Sequence, residues 1–176
     1  MSRKIKPDEF RILLFIRYCG DYMDDTYYFR AKTHLHKWYY LSRHPNVLET
    51  FLRTYGFAQK LKENQNPSDL FNRNLRGVTL ENIDEIIVSL KSCNLIIEKT
   101  IKRSITYILT EKGLAFLEEV PIANEAIQDY MKILFIIKKF ISTIPFRDVL
   151  KYTDKHIKKG VHPKGSIVRD DQCGSE

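Results

Sequence analysis

Asp24 and Asp25 sit side by side in the stretch DYMDDTYY, and two adjacent carboxylates are the beginning of a magnesium site. Such a site needs a third oxygen ligand and a sheet to hold all three. Only 21 residues precede Tyr22 and the flanking segments read as helical, so a polar loop is expected there instead. His34 and His36 are two apart on an expected helix and point to opposite sides, so they cannot share a metal. His44, His156 and His162 have no Cys or acidic partner at ligand spacing. Cys19, Cys93 and Cys173 are odd in number, widely spaced and without a CxxC pair, which suits reduced thiols. No nucleophile, base or phosphate loop can be assembled, so the chain is expected to be no enzyme and to hold no cofactor or metal. The remaining candidates bind rather than react. Lys99, Lys102 and Arg103 fall in the polar turn Lys99 to Arg103, where they suit a phosphate, an acidic protein surface or plain solvation.

These residues belong to a chain of 176 residues and 20.8 kDa, which predicts one domain with extensions. With 43 % hydrophobic and 29 % charged residues, it has a soluble globular composition. No run reaches the roughly 18 apolar residues of a membrane span, and MSRKIKPDEF is not a secretory signal. A cytoplasmic location without membrane contact is expected. The formal charge of +7 permits nucleic-acid contact and equally describes partner-binding subunits.

The clearest stretch for secondary structure is Val78 to Val120. Thr79 offers an N-cap, and Leu80, Ile83, Ile86, Ile87 and Leu90 recur at helical spacing. Asn94, tolerant of the left-handed conformation, closes that helix. Two β-rich runs come next, Leu95 to Glu98 and Ser104 to Leu109, and Thr110 caps a second helix with Leu114, Leu117 and Val120 on one face. Ahead of this stretch, a helix is predicted over Pro7 to Cys19, apolar almost all round, with Phe10, Leu13 and Leu14 as its stripe. Thr26 to Gly56 reads as helical, broken near Pro45, with Trp38 a core anchor on the face of Leu35, Tyr39 and Ser42. Lys62 to Gly77 reads as a loop with one helical turn around Leu70. After Pro121 a long helix carries Ile127 to Ile144, Pro145 ends or kinks it, and Phe146 to Ile157 forms a short helix.

Helix, hairpin, helix is the second half of a winged helix, and the words SLKSCNLIIEK, YILT and TEKGLAFLE resemble the "L..L...GLI" and "Y.LT.KG" pattern of those domains. The expected fold is therefore mainly α with a small β-hairpin, a winged helix-turn-helix with N- and C-terminal helical extensions. Its parts are a single domain over 1–157, comprising a helical portion 7–60, a winged-helix half 78–120 and C-terminal helices 122–157. A flexible basic tail occupies 158–176. The helix before the hairpin, which in a DNA reader enters the major groove, exposes Glu81, Asn82, Asp84, Glu85, Ser89 and Lys91. Carboxylates clustered there oppose a polyanion, so any DNA binding is expected to be weak and independent of sequence.

In its order of elements, over roughly three-quarters of its length, the chain resembles the middle component of bacterial ABC three-component defence systems, including the Lamassu type. The resemblance rests on HKWYYLSRHPNVL, SLKSCNLI, YILTEKG and the region 122–157, with Asn94 where glycine is usual. It implies a non-catalytic subunit bridging an SMC-like ATPase and an effector such as a nuclease, in anti-phage or anti-plasmid defence. A winged-helix transcription regulator dimerising through its C-terminal helix is the alternative. Partner docking is expected on Ile133, Phe135, Ile136 and Ile137, where no polar residue interrupts the helix, or on the basic tail around Lys155, Lys158, Lys159 and Lys164.

Overall fold

The computed structural model describes residues 5–57, 61, 71–74, 77–80, 83–120, 124–156 and 167–168. They form a mainly helical chain with small antiparallel sheets. One core was the expectation from length. The contacts instead divide the chain into two compact units, Met1–Lys32 with Asn82–Phe135, and Thr33–Glu81 with Ile136–Glu176.

The first unit begins with α1 (Pro7–Cys19), the span that the sequence predicts. Pro7 opens it, and a Glu9 carboxylate oxygen accepts from the Lys6 N–H at 2.8 Å, satisfying a backbone donor at the helix start. Ile12, Leu13, Phe15 and Ile16 are fully buried, so this helix is covered on more than one side as its all-round apolarity requires. Gly20 ends it. A Cβ there would lie 2.3 Å from the Ile16 carbonyl oxygen and 2.6 Å from that of Tyr28, so only glycine lets the chain turn straight into a strand.

After Gly20 the chain departs from the expected polar loop and from the first part of the expected helix. Asp21–Met23 (β1) and Thr26–Arg30 (β2) pair as a hairpin, with Asp24 and Asp25 at φ 51° and 57° in the two-residue turn. Aspartate tolerates the left-handed region better than most residues, and the β-prone TYYFR supplies the returning strand. Strand β2 becomes helical nowhere because its other edge pairs with Ser104–Leu109 (β6), Tyr28 opposite Ile108 and Arg30 opposite Thr106. Ile96–Ile101 (β5) completes a sheet of order β1-β2-β6-β5. Phe29 and Tyr107 face each other across the strands, both buried, with Phe29 edge-on to Phe15 of α1 at 5.2 Å. Burial pushes the Tyr107 phenol well above the usual tyrosine range.

Helix α4 (Ile83–Ser92) precedes β5 and buries Ile83, Ile86, Ile87 and Leu90. The expected Thr79 cap is not its start, since Gly77–Leu80 is strand β4, paired with Phe71–Asn74 (β3) in the second unit. Val78 and Thr79 are β-branched, and a partner strand decides their state over a cap that sequence spacing alone favours. Asn94 does close the helix at φ 56°. Thr110 then caps α5 (Glu111–Glu119): its hydroxyl accepts from the Gly113 N–H at 3.0 Å and donates to the Asn94 carbonyl at 2.6 Å. A Cβ on Gly113 would stand 2.2 Å from the Leu95 carbonyl oxygen, so the glycine of TEKG is what allows α5 to pack onto the start of the hairpin.

The second unit holds α2 (Lys32–Arg43) from Thr33 onward, α3 (Pro45–Thr54), the sheet β4-β3-β7 with β7 at Ile167–Val168, and α7 (Phe146–His156). Strand β3 corrects the expected loop through 62–77 at Phe71–Asn74; Leu70 lies outside the described residues, as does the expected flexible basic tail 158–176 apart from Ile167–Val168, which pairs with β3. Pro45 breaks the helices as expected, taking the first position of α3. Tyr39 and Tyr40 are fully buried and Trp38 only half-buried, so the tyrosines, not the tryptophan, anchor α2. Lys37 is wholly buried with its ammonium 3.1 Å from Asp154 of α7, a pair that offsets part of a desolvation cost of several kcal/mol per ion. Helix α6 (Glu125–Phe140) passes through one turn of 3-10 helix, Ile141–Thr143, and Pro145 forces Ile144 extended at φ −89°, ψ 134°.

Gly113→Ala is expected to cost about 1–3 kcal/mol through forced displacement of the Leu95 carbonyl, read as a lower urea midpoint. His34, half-buried with its ring 3.7 Å from that of Phe146, has its pKa lowered by burial from the ordinary 6.5. The unfolded chain therefore binds the proton more readily. This contribution is complete above the unfolded value and is lost as pH falls through it toward the folded one. The thermal midpoint should drop between about pH 7.5 and about pH 5.5, and drop less in His34→Gln.

Candidate interaction surfaces

Among the described residues, no three His, Cys, Asp or Glu side chains come together as a metal set. Asp24 and Asp25 stand at an exposed turn, and His36 is buried while His34 is half-buried on another side of α2. A small cleft of about 150 Å³ in the first unit is lined by Phe10, Leu14, Tyr18, Leu117, Ile127 and Met131. It is below the size of ordinary small-molecule sites. No helix among the described residues is long and apolar enough to cross a membrane. What the first unit offers is surface.

Helix α4 presents Asp84, Glu85, Val88, Lys91 and Ser92 to solvent. Glu81 and Asn82 lie outside the described residues. Val88 is 63 % exposed, a large aliphatic side chain left in water amid charge. Asp84 is ion-paired with Lys32, and Lys91 lies 3.6 Å from Glu98 of β5. Ser89 is half-buried: its hydroxyl donates to the carboxylate of Glu9, which is only 3 % exposed, tying α4 to α1. Helix α4 therefore shows a short acidic and apolar face, with its one lysine drawn toward a neighbouring glutamate.

The cationic residues group elsewhere. Lys102 and Arg103 occupy the β5–β6 turn at φ 48° and 65°. Lys99, expected in that turn, is within β5 opposite Thr106, because the strand runs on to Ile101. Thr106 also faces Arg30 of β2, so Lys99 and Arg30 flank one cross-strand row at a separation of about 10 Å, two strand spacings. Arg30 was not among the sequence candidates, since its segment read as helix. Only the pairing of β2 with β6 brings it here. Its guanidinium lies 6.0 Å from the Tyr28 ring. Among the described residues, none of Arg30, Lys99, Lys102 and Arg103 meets a carboxylate, whereas Arg11, Lys32, Arg53, Lys91 and Lys132 each do.

The four docking candidates on α6 separate. Ile133 and Ile137 are buried, 5 % and 0 % exposed, and Ile136 is half-buried. Phe135 alone stands out, at 63 %. A helix turns 100° per residue, so a run of five apolar residues is distributed around it and cannot form one docking face. Lys155 is exposed on α7, and Lys158, Lys159 and Lys164 lie outside the described residues. Compared with known proteins, the chain matches no family model, no curated protein and no solved structure.

Ser89→Ala should lower stability by about 2 kcal/mol by leaving the buried Glu9 carboxylate short of a donor. It should leave any polyanion binding unchanged, as a gel-shift titration beside urea unfolding would show.

Proposed function

We propose that the chain is a non-catalytic assembly subunit that bridges an SMC-like ATPase and an effector such as a nuclease in a bacterial anti-phage or anti-plasmid defence complex. Its first unit is read as a winged helix turned to protein recognition. Support for the winged helix comes from element order and pairing: helix α1, strand β2, helix α4, then β5 and β6, with β2 seated against β6. Support for protein recognition comes from α4, and Val88 carries it. An aliphatic side chain 63 % exposed between Asp84 and Glu85 on one side and Ser92 on the other suits an apolar socket with a polar rim. It does not suit a phosphate backbone. The regulator alternative calls for an apolar stripe on the C-terminal helix to dimerise through. Helix α6 has Ile133, Leu134 and Ile137 buried within the chain itself and leaves Phe135 as its only large exposed apolar group among the described residues.

The test is co-expression with an SMC-like ATPase encoded beside this chain. The ATPase should co-purify with the native chain and be lost from Val88→Arg, with the far-UV circular dichroism of the variant unchanged. A sequence-selective DNA complex at physiological salt, formed with no ATPase present, would establish the regulator instead.

A further inference from the structure

The four-stranded sheet carries its two hairpin turns at opposite ends, and their chemistry is opposite too. Thr26, beside the β1–β2 turn, gives its hydroxyl to the Leu109 carbonyl at 2.7 Å, at the last residue of β6. Ser104, beside the β5–β6 turn, is the first residue of β6. The two turns are therefore separated by the length of that strand, about 20 Å.

At the first end Asp21, Asp24 and Asp25 are exposed together with Tyr22 and Met23, which are 60 % and 54 % exposed. The Tyr22 hydroxyl donates to Asp25 at 3.2 Å and its ring lies 4.8 Å from that of Tyr27, so the tip is held in one shape before it meets anything. At the second end are Lys99, Lys102 and Arg103, uncompensated among the described residues, beside Ile105 at 38 % exposure. Lys102 and Arg103 both have positive φ, a region that costs a side-chain-bearing residue about 1–2 kcal/mol. Asn-Gly would form the same kind of turn without that cost. The turn geometry does not call for two long cations, whereas an acidic surface does.

We propose that the β1–β2 hairpin of one copy docks on the β5–β6 turn of a second copy of this chain. Asp24 and Asp25 meet Lys102 and Arg103, and Tyr22 and Met23 pack on Ile105. The observation that selects a second copy as occupant is charge complementarity: each end of the sheet carries what the other lacks. Since the two surfaces differ, the contact is head-to-tail, and it propagates into a ring or an open chain instead of closing as a two-fold dimer. The surfaces are small and the net charge of +7 opposes association, so the contact is weak, concentration-dependent and screened by salt. It does not rest on the defence-complex reading.

Sedimentation equilibrium of the full chain at low ionic strength should give an average mass that rises above the monomer with concentration. In about 1 M salt, where the Debye length is about 3 Å, it should return to the monomer. Asp24→Asn with Asp25→Asn, and separately Lys102→Asn with Arg103→Gly, suit the left-handed turns at least as well as the native residues, so each variant should stay folded and monomeric. Exchanging the charges at both ends in one chain, Asp24→Lys and Asp25→Lys with Lys102→Asp and Arg103→Asp, should restore association. A native chain monomeric at every concentration in low salt overturns the proposal. So does association that survives either neutral pair, or that appears only when nucleic acid or another protein is added.

Discussion

The pairing of β2 with β6 is the constraint on which the first unit depends. It joins Tyr28 to Ile108 and Arg30 to Thr106, across all the chain that the second unit occupies between 33 and 81. Closing so long a loop costs entropy, though only about 0.6 kcal/mol more for each doubling of length. The gain is a buried layer, with Phe29 and Tyr107 on the face beneath α1 and Phe15 edge-on to Phe29. Without that pairing β1 and β2 would be an isolated hairpin, which is marginal in water. Arg30 would also have no fixed relation to Lys99.

A second tie fixes α1 to α4. Glu9 serves two donors at once, the Lys6 N–H that opens its own helix and the Ser89 hydroxyl from α4. A nearly buried carboxylate is tolerable because both are supplied. One residue thus starts α1 and sets where α4 lies on it, and so which side of α4 reaches solvent. The contact acts with the burial of Ile83, Ile86, Ile87 and Leu90, which turns the opposite side of α4, with Val88, to solvent.

What was legible in the sequence was local. Pro7 and Gly20 bound α1, Pro45 divides α2 from α3, Asn94 and Thr110 close and open helices, and β6 begins and ends where its β-prone run does. What was not legible was decided by pairing partners that spacing alone does not name. TYYFR became a strand because β6, about eighty residues away, lies beside it, and GVTL because it closes a tight hairpin with β3 just before it. The same limit governed the site. Lys99, Lys102 and Arg103 could be picked out as a charged run, but Lys99 is a strand residue and Arg30 enters the group only through strand order. The outward side of α6 was left open for a related reason, since counting apolar residues says how many sides need cover and not which side is left open.

The distribution of paired and unpaired charge sets one further constraint. Several cations of the first unit pair with carboxylates, Arg11 with Asp8, Arg17 with Glu118 and Lys132 with Asp129, and two of the pairs tie α4 to its surroundings: Lys32 with Asp84, Lys91 with Glu98. Exposed pairs of this kind contribute well under about 1 kcal/mol each, too little to explain the fold. Their effect is to neutralise α4 and leave positive charge concentrated along Arg30, Lys99, Lys102 and Arg103. Two of those four hold a backbone conformation that lysine and arginine disfavour. A sheet edge bearing exposed lysine also resists pairing by a stray strand, which accounts for Lys99 on β5. It does not account for Lys102 and Arg103, which sit beyond the ladder and protect no edge. The β5–β6 ladder that the turn closes offsets their backbone cost, so the fold fixes the turn and leaves the chemistry of its two side chains to what they face in solvent.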